Sequence, residues 1–339
     1  MDARRVQRTG GSTFIVSLPK AWAEEVGLKQ GDVLELNPQS DGSLMINKAR
    51  GDVKDTQERA FFLDEDSESH LWRRLVAIYM AGHRRFRIQT REEIDPKVRQ
   101  VLRELTRRAI GPEIIEEAER CVVIQDLADP TEFPLSKGVR RMATGARVMH
   151  AEAMRALRAR DKELARQVGA MDDEVDRLYW LIMKQYNMIL RDRRIAEKIG
   201  MGVAESFWYL LVARILERVA DHAQRIAENV VLLDGHDVDG RLVSEIEEAS
   251  ADSVHALETA FAALGAGDVA QANGAIDMAE RLVGRVRRLS KRVLDEDVEI
   301  AVPLSAILSS IERTGSYAGD IGEIAINHVM MGASSYADG

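Results

Sequence analysis

The sequence predicts a mainly α-helical protein made of tandem three-helix bundles, preceded by a small β-rich module and a small α/β module. Aromatic residues, which favour strands, make up only 5% of the 339 residues, whereas 45% are apolar. Helical periodicity continues from about residue 136 to residue 331. Strand-like segments separated by Gly-Asp and Asp-Gly turns are concentrated in the first 50 residues. A chain of this length is expected to form more than one domain.

Residues 1–50 read as strand, short helix, strand, turn and strand. Apolar residues alternate over 14–18, and Pro19 begins a short helix that Gly27 can end. A Gly-Asp turn precedes a strand over 33–36, and Asp41-Gly42 separates that strand from a last one over 44–46. So short a segment buries too little surface to be stable alone, so we expect it to pair with a second copy.

This segment resembles the AbrB/SpoVT swapped-hairpin family through the run RTGGSTFIVSLPKAWAEEVGLKQGDVLEL. The resemblance implies that two chains intertwine into one small barrel with a basic face against DNA. Four basic residues oppose a single acid in residues 1–20, which gives a net charge of +3 in an otherwise acidic chain. The candidate DNA-binding residues are Arg4, Arg5, Arg8 and Lys20. The pattern leaves open whether the module binds DNA or only dimerises.

Residues 51–135 predict a small β-α-β-α-β-β layer. The expected strands cover 60–63 and 86–89, a hairpin joins 113–115 to 121–125, and helices cover 69–81 and 98–110. Asp95 is expected to cap the second helix, with Pro96 in its first turn. The first helix is expected to bury Leu71, Trp72, Leu75, Ile78 and Tyr79. No chemical motif is evident, so we interpret this module as a spacer or a dimerisation element.

From residue 136 onward the pattern predicts six helices in two sets of three, at 136–235 and 240–331. Breaks are expected at 160–161, 200–202, 234–240, 265–268 and 295–303. The sets repeat, since ALRARD at 156–161 matches ALGAGD at 263–268 and LERVADHAQRIAEN at 216–229 matches IERTGSYAGDIGEI at 311–324. Short turns place successive helices antiparallel, so each set predicts a three-helix bundle.

Acidic residues recur at helical spacing on two of these helices. Asp172 and Asp176 lie four residues apart, as do Glu217 and Asp221, with Glu228 further along. Four carboxylates on neighbouring helices suit a divalent cation. The alternative is a solvated face with arginine counter-charges, for which Arg214, Arg218 and Arg225 are available.

The helical part resembles the PhoU family through DDEVDRL at 172–178 and LERVADHAQRIAEN at 216–229. The resemblance implies divalent-metal binding and repression of phosphate uptake through contact with a phosphate ABC transporter and its sensor machinery. The implied ligands are Asp172, Asp176, Glu217 and Asp221, and the metal would be iron, manganese, magnesium or zinc. In the second bundle Glu312 matches Glu217, but Ser316 stands where the first bundle has Asp221. The Asp172 and Asp176 positions correspond to Ala279 and Val283, or to Glu280 and Gly284 if the alignment is shifted by one residue. We therefore expect the metal site in the first bundle.

Other functional classes fit the sequence poorly. The net charge of −9 argues against a bulk nucleic-acid binder, and a lone cysteine, Cys121, argues against a disulfide framework and fits a reducing cytoplasm. Nucleotide-binding glycine loops and Glu-x-x-His pairs of di-iron oxidases are lacking. The N-terminus lacks an export-type apolar core, and the longest apolar run spans only 207–213, so we expect no membrane insertion and a cytoplasmic protein.

These observations predict a cytoplasmic, homodimeric, non-enzymatic regulator with a DNA-binding head and a metal-binding helical body that responds to phosphate status or to a partner. An alternative is an adaptor that docks on a transporter ATPase or signalling protein and uses its head only to dimerise. A metal-dependent hydrolase is a weaker alternative, since no nucleophile constellation accompanies the carboxylates.

Overall fold

The computed structural model describes residues 3–38, 42–48, 58–63, 68–129 and 132–333. The chain divides into two compact units, Met1–Thr56 and Gln57–Gly339. In the described part of the chain, no helix is both long and apolar enough to cross a membrane.

The N-terminal unit contains two antiparallel hairpins and one short helix. Its elements are β1 (Gln7–Thr9), β2 (Thr13–Ile15), α1 (Lys20–Glu25), β3 (Leu34–Pro38) and β4 (Leu44–Lys48). Arg8 lies opposite Phe14 in the first hairpin, and Leu36 lies opposite Ile46 in the second. The predicted order of elements is confirmed from β2 onward, but the polar strand β1 was not predicted. Asp41 of the predicted Asp-Gly turn lies outside the described residues.

The helix α1 begins and ends as predicted. Pro19 precedes it in an extended conformation, and Gly27 follows with a left-handed φ of +62°. The Lys48 ammonium donates to the Gly27 carbonyl at 2.7 Å and pairs with Asp32 at 2.7 Å, which connects β4 to the loop after the helix. None of the described residues of this unit is buried.

The second unit begins with the predicted α/β arrangement, here called the α/β part. Its elements are β5 (Arg59–Phe62), α2 (Glu68–Met80), β6 (Arg85–Gln89), α3 (Pro96–Arg108), β7 (Pro112–Ala118) and β8 (Cys121–Asp126). The sheet order is β5-β6-β8-β7, with β5 parallel to β6 and the other pairs antiparallel. The Asp95 side chain accepts from the Lys97 amide at 2.8 Å, as expected for the cap of α3. On α2, Leu71, Leu75, Ile78 and Tyr79 are buried as predicted, while Trp72 is partly buried.

Two helical bundles follow, and they share one continuous core with the α/β part. Their helices are α4 (Leu135–Ala159), α5 (Lys162–Arg191), α6 (Arg193–Ile199), α7 (Val203–Leu232), α8 (Gly240–Ala266), α9 (Val269–Val293) and α10 (Val298–Ala333). The helices α4, α5 and α7 form the first bundle, and α8, α9 and α10 form the second. The two bundles meet mainly where α7 packs against α10. The helix α2 packs on α5, which places the α/β part against the first bundle.

The predicted repeat is visible in the turns. Arg160 ends α4 with a left-handed φ of +55°, and Gly267 ends α8 with a φ of +65°. The next residues, Asp161 and Asp268, cap α5 and α9, because their carboxylate side chains accept hydrogen bonds from backbone amides of the first helical turn. The two halves therefore use the same residue positions to end one helix and begin the next.

Two helix boundaries differ from the prediction. Asp192 adopts an extended conformation that ends α5 and separates the short helix α6. The helix α10 begins at Val298, although the break was predicted to continue through Pro303. Pro303 removes only one helical hydrogen bond, and the packing of buried neighbours such as Leu304 and Ile307 offsets that loss.

Candidate functional site

The four predicted acids lie on the two adjacent helices α5 and α7 of the first bundle. Asp172 and Asp176 are one turn apart on α5, and Glu217 and Asp221 are one turn apart on α7. We call these four residues the carboxylate cluster. Asp172, Asp176 and Glu217 are partly buried, whereas Asp221 is exposed. The packing of α5 against α7 therefore brings the charges of both helices into one region.

Desolvation raises the pKa of every member of the cluster, and repulsion between the acids adds to it for Asp172, Asp176 and Glu217. Burial raises the pKa of Asp172 to about 7, and the charges of Asp176, Asp221 and Glu217 add to the effect. The pKa of Glu217 is raised to about 7 by burial and then by the charge of Asp221, and that of Asp176 to about 6 by the same causes. Desolvation of its carboxyl group by the packed helices also raises the pKa of Asp221, although the residue as a whole is exposed. The alternative sequence interpretation, a fully solvated acidic face, does not fit Asp172, Asp176 and Glu217, because these three residues are partly buried.

Two carboxylate oxygens of the cluster are buried without a hydrogen-bond partner. They are Asp172 Oδ1, on α5, and Glu217 Oε2, on α7. The other Glu217 oxygen, Oε1, accepts from Arg214 at 2.9 Å. A buried carboxylate oxygen without a donor is costly unless it is protonated or meets a cation. The cluster therefore has acceptor capacity that the described residues do not use.

Arginines surround the cluster from two directions. Arg214 and Arg218, from α7 itself, lower the pKa of Glu217 and of Asp221. Arg108 is the last residue of α3 in the α/β part, and it forms an ion pair with Asp173 and lowers the pKa of Asp176. The flanking arginines of α7 were noted in the sequence, but Arg108 was not.

The donor chemistry of the cluster fits a divalent cation, because it offers several carboxylate oxygens, two of them without partners. Among the residues that the structure describes, no three His, Cys, Asp or Glu side chains converge closely enough to hold an ion. The four acids thus lie in one region, but their side chains do not converge on a single point among the described residues. The ligand assignment stays a prediction.

The matching region of the second bundle is built differently. Ser316 donates its hydroxyl to the Glu312 carbonyl at 3.1 Å, and Ala279 is buried between the helices. At Gly315 an added Cβ would clash with a methyl group of Leu282. Small residues bring α9 and α10 close together here, so this face contains packed apolar groups where the first bundle has carboxylates.

The candidate DNA-binding residues are exposed in the N-terminal unit. Arg4 and Arg5 precede the first strand, Arg8 lies in β1, and Lys20 is the first residue of α1. The Arg8 guanidinium lies 5.9 Å from the centre of the Phe14 ring. Lys20 forms an exposed pair with Glu24 at 3.6 Å, which is too solvated to restrain it strongly.

Sequence reasoning also missed a buried ion pair between the α/β part and the first bundle. Lys184 of α5 is 1% exposed and pairs at 2.6 Å with Asp126 of β8, which is 4% exposed. The ammonium lies 4.8 Å from the centre of the Tyr79 ring on α2. One feature of the sequence could have revealed this ion pair: Lys184 lies on the apolar face of α5, between the buried Leu181 and Met188.

Comparisons with known proteins agree with the two-part organisation. Residues 139–230, within the first bundle, match the PhoU domain, and residues 7–54 match the family described as "Antidote-toxin recognition MazE, bacterial antitoxin". A curated relative, "Phosphate-specific transport system accessory protein PhoU homolog 1" of Thermotoga maritima, is 26% identical over 117 residues. The match covers 34% of this chain and about half, 47%, of that protein.

Solved PhoU structures have a similar fold. The phosphate transport system regulatory protein PhoU from Streptococcus pneumoniae matches with a TM-score of 0.50 and 17% identity, over 58% of this chain and 94% of that one. PhoU from Pseudomonas aeruginosa matches with a TM-score of 0.50 and 19% identity, over 58% and 96% of the two chains. This chain therefore carries a PhoU domain in a PhoU-like helical body, preceded by a MazE/AbrB-like module at its N-terminus.

Proposed function

We propose that this protein is a dimeric, non-enzymatic regulator of phosphate uptake, in which the PhoU-like body receives a signal and the N-terminal module acts on DNA. The observation that carries the proposal is the presence of a PhoU domain and a MazE/AbrB-like module on one chain, in separate compact units. A related protein is named as a phosphate-specific transport system accessory protein, which supports phosphate uptake as the regulated process.

The surface of the N-terminal unit supports dimerisation. None of its described residues is buried, and Phe14 and Val33 are each 70% exposed. Its other exposed large apolar side chains are Val6, Ile15, Val16, Val26, Leu36, Leu44 and Met45. So much apolar surface on a small unit is unfavourable in water, and a second copy would cover it.

DNA contact is assigned to Arg4, Arg5, Arg8 and Lys20. All four side chains are exposed, and a cluster of cations is what phosphate contact requires. Two copies of the module would double this charge on one dimer.

The body would respond through the carboxylate cluster. Asp172, Asp176, Glu217 and Asp221 would hold a divalent cation, whose positive charge would offset their mutual repulsion. The partnerless oxygens of Asp172 and Glu217 support this assignment. Arg214 donates to one oxygen of Glu217 and so orients that carboxylate, leaving its second oxygen free.

A mobility-shift assay tests the DNA-binding function. The full chain is titrated against duplexes from the upstream regions of phosphate-uptake genes and against unrelated duplexes, at several salt concentrations. The variant with Arg5→Ala and Arg8→Ala should bind all duplexes more weakly, with a salt slope that is smaller by roughly one unit for each lost contact. The matched control is Arg241→Ala with Arg281→Ala, which removes two exposed arginines of the body and should leave binding unchanged. An identical slope for both double variants would remove Arg5 and Arg8 from the interface.

The second candidate function is an adaptor that docks on a phosphate ABC transporter ATPase and uses the N-terminal module only to dimerise. The accessory-protein name of the curated relative favours it. It predicts no salt-dependent shift with any duplex, but co-purification of the ATPase with the full chain. Deletion of the N-terminal module would then weaken capture only through the loss of the dimer.

A further inference from the structure

A cavity of about 640 Å³ lies between the α4–α5 turn and the linker that leads from the first bundle to the second. The linker comprises residues 233–239, between α7 and α8. We call this space the linker cavity. Its volume falls within the usual range for small-molecule sites, roughly 300–1,000 Å³. Part of its lining is apolar and buried, with contributions from Leu157 of α4, Val230 of α7 and Val238 of the linker.

Three cations at the α4–α5 turn line the same cavity. They are Arg158, Arg160 and Lys162. The second bundle has Gly265, Gly267 and Val269 at the matching positions of its α8–α9 turn. The same kind of turn therefore forms in this chain without any of the three cations, so the turn itself does not require them.

The backbone at Arg160 is better suited to glycine. Its φ of +55° is left-handed, and no other non-glycine residue in the described part of the chain has a positive φ. The Arg160 guanidinium donates to the Val238 carbonyl at 2.9 Å and to Asp237 at 2.7 Å, both on the linker. Side chains held on such a backbone are concentrated at ligand-binding sites. The position of Arg160 on the wall of the linker cavity fits that pattern.

The acids that pair with these three cations are exchangeable partners. The pairs are Lys162 with Asp234 at 2.6 Å, Arg160 with Asp237 at 2.7 Å, and Arg158 with Glu247 at 3.8 Å. In each pair at least one side chain is half exposed or more, and Asp237 is 94% exposed. Ion pairs that are solvated to this extent contribute little to stability. An anionic ligand can therefore replace the acids as the partner of the cations without a large loss.

We propose that the linker cavity binds a small organic phosphate monoester, with its phosphate at Arg158, Arg160 and Lys162 and its apolar or aromatic body against the apolar lining. A phosphate dianion has three acceptor oxygens, which suit two guanidinium groups and an ammonium. A ligand in this place contacts both the first bundle and the linker, so its binding would act on the connection between the two bundles. The proposal goes beyond the regulatory function above and depends neither on the carboxylate cluster nor on DNA contact.

The test is calorimetric titration of the full chain with two probes, phenyl phosphate and AMP. Phenyl phosphate should bind more tightly than either inorganic phosphate or phenol, because each of these smaller molecules uses only one part of the cavity. The turn variant combines Arg158→Gly, Arg160→Gly and Lys162→Val, which gives the first bundle the residues of the second. It should keep its helical circular dichroism and bind both probes at least roughly tenfold more weakly, since the charged donors are lost.

A control variant separates the turn from the general charge of this region. Arg155→Gln with Arg166→Gln removes two exposed arginines that flank the turn without lining the cavity, and it should bind like the parent. Should the turn variant unfold, Arg160→Gly alone replaces it, because glycine suits the left-handed backbone at this position.

Each outcome decides the proposal. Binding of either probe that is weakened in the turn variant and unchanged in the control supports the site. If the parent binds neither probe, the proposal is wrong. Equal affinity of the parent and the turn variant would place any binding elsewhere and would overturn it as well. Inorganic phosphate that binds as tightly as phenyl phosphate would show that the apolar lining takes no part, which also contradicts the proposal.

Discussion

Asp172 shows how its surroundings change the chemistry of a single residue. Burial and the charges of four neighbouring acids raise the pKa of Asp172 to about 7, against an ordinary value of 3.8. A carboxyl group with a raised pKa in the folded state binds protons more readily there than in the unfolded chain. Its contribution to stability is therefore largest at low pH and is lost as pH rises from about 4 through about 7.

We predict that Asp172→Asn stabilises the metal-free protein at pH 8 and has little effect near pH 4. The expected gain at pH 8 is about 1 kcal/mol after allowance for partial exposure, equivalent to a rise in Tm of about 2–4 °C. Thermal unfolding of both proteins at a series of pH values, with chelator present, measures the difference. The Tm of the variant is compared with that of the parent at each pH. His150 and His222 have lowered pKa values, so both proteins lose stability on acidification, and the difference in Tm removes this shared effect. A gain independent of pH would show that charge is not its cause.

A second residue-level prediction concerns the asymmetry between the bundles. Asp176→Ala with Asp221→Ala should remove most bound divalent metal, because both helices then lose a carboxylate of the cluster. Glu312→Ala should change little, since its bundle has Ala279 and Ser316 where the first bundle has acids. Elemental analysis after dialysis against a divalent supply compares these variants with the parent. Equal metal loss from Glu312→Ala, or no metal in the parent under any divalent supply, would contradict the assignment.

At the scale of elements, the ion pair between β8 and α5 joins two layers of the second unit. Lys184 and Asp126 are almost fully buried and 2.6 Å apart, and Asp126 Oδ1 also accepts from the Ala128 amide at 3.2 Å. Removing one partner leaves an uncompensated charge in the interior. Replacing both by neutral residues avoids that cost.

We predict that Lys184→Met alone destabilises the protein by about 3 kcal/mol, because it leaves the Asp126 carboxylate buried and unpaired. The double variant Lys184→Met with Asp126→Asn should recover most of this loss, since the asparagine oxygen still reaches the Ala128 amide. Denaturant unfolding of the parent, both single variants and the double variant completes the cycle. Additive single effects would show that the two side chains do not stabilise each other.

Helix capping shows how a repeated element can be predicted from local sequence. Arg160-Asp161 and Gly267-Asp268 occupy matching positions, and both pairs end one helix and cap the next. Local chemistry suffices for such turns, because the Asp side chain and the backbone amides that it accepts from are adjacent in sequence. The additional break at Asp192 lacks a comparable signal, and it was missed.

At the scale of the whole molecule, the N-terminal unit differs from the rest in having no buried residue in its described part. We predict that residues 1–50 alone form a folded dimer and that the full chain is also dimeric. The physical reason is that the strands of one copy cannot enclose a core, so folding depends on the second copy. Sedimentation equilibrium at micromolar concentration measures the mass, and a folded monomeric fragment would refute this expectation.

The fold class and most elements were determined by local sequence. Residue periodicity, caps and turn glycines predicted the bundles and the order of the α/β elements. They also placed the two acidic pairs on two helices of the first bundle. These features depend on spacing along one segment, and spacing is visible without coordinates. The residues of the carboxylate cluster were therefore candidates from the sequence, and their metal-binding role stays a prediction.

Only the tertiary structure showed how distant segments change these candidates. Arg108 and Asp173 are 65 residues apart and pair because α2 packs against both α3 and α5. Lys184 likewise meets Asp126 where the α/β part lies against α5. Burial, which raises the pKa values of Asp172 and Glu217, likewise depends on which helices cover them. Such interactions join residues that share no local pattern, because they arise from packing between layers rather than from the order of residues within one helix.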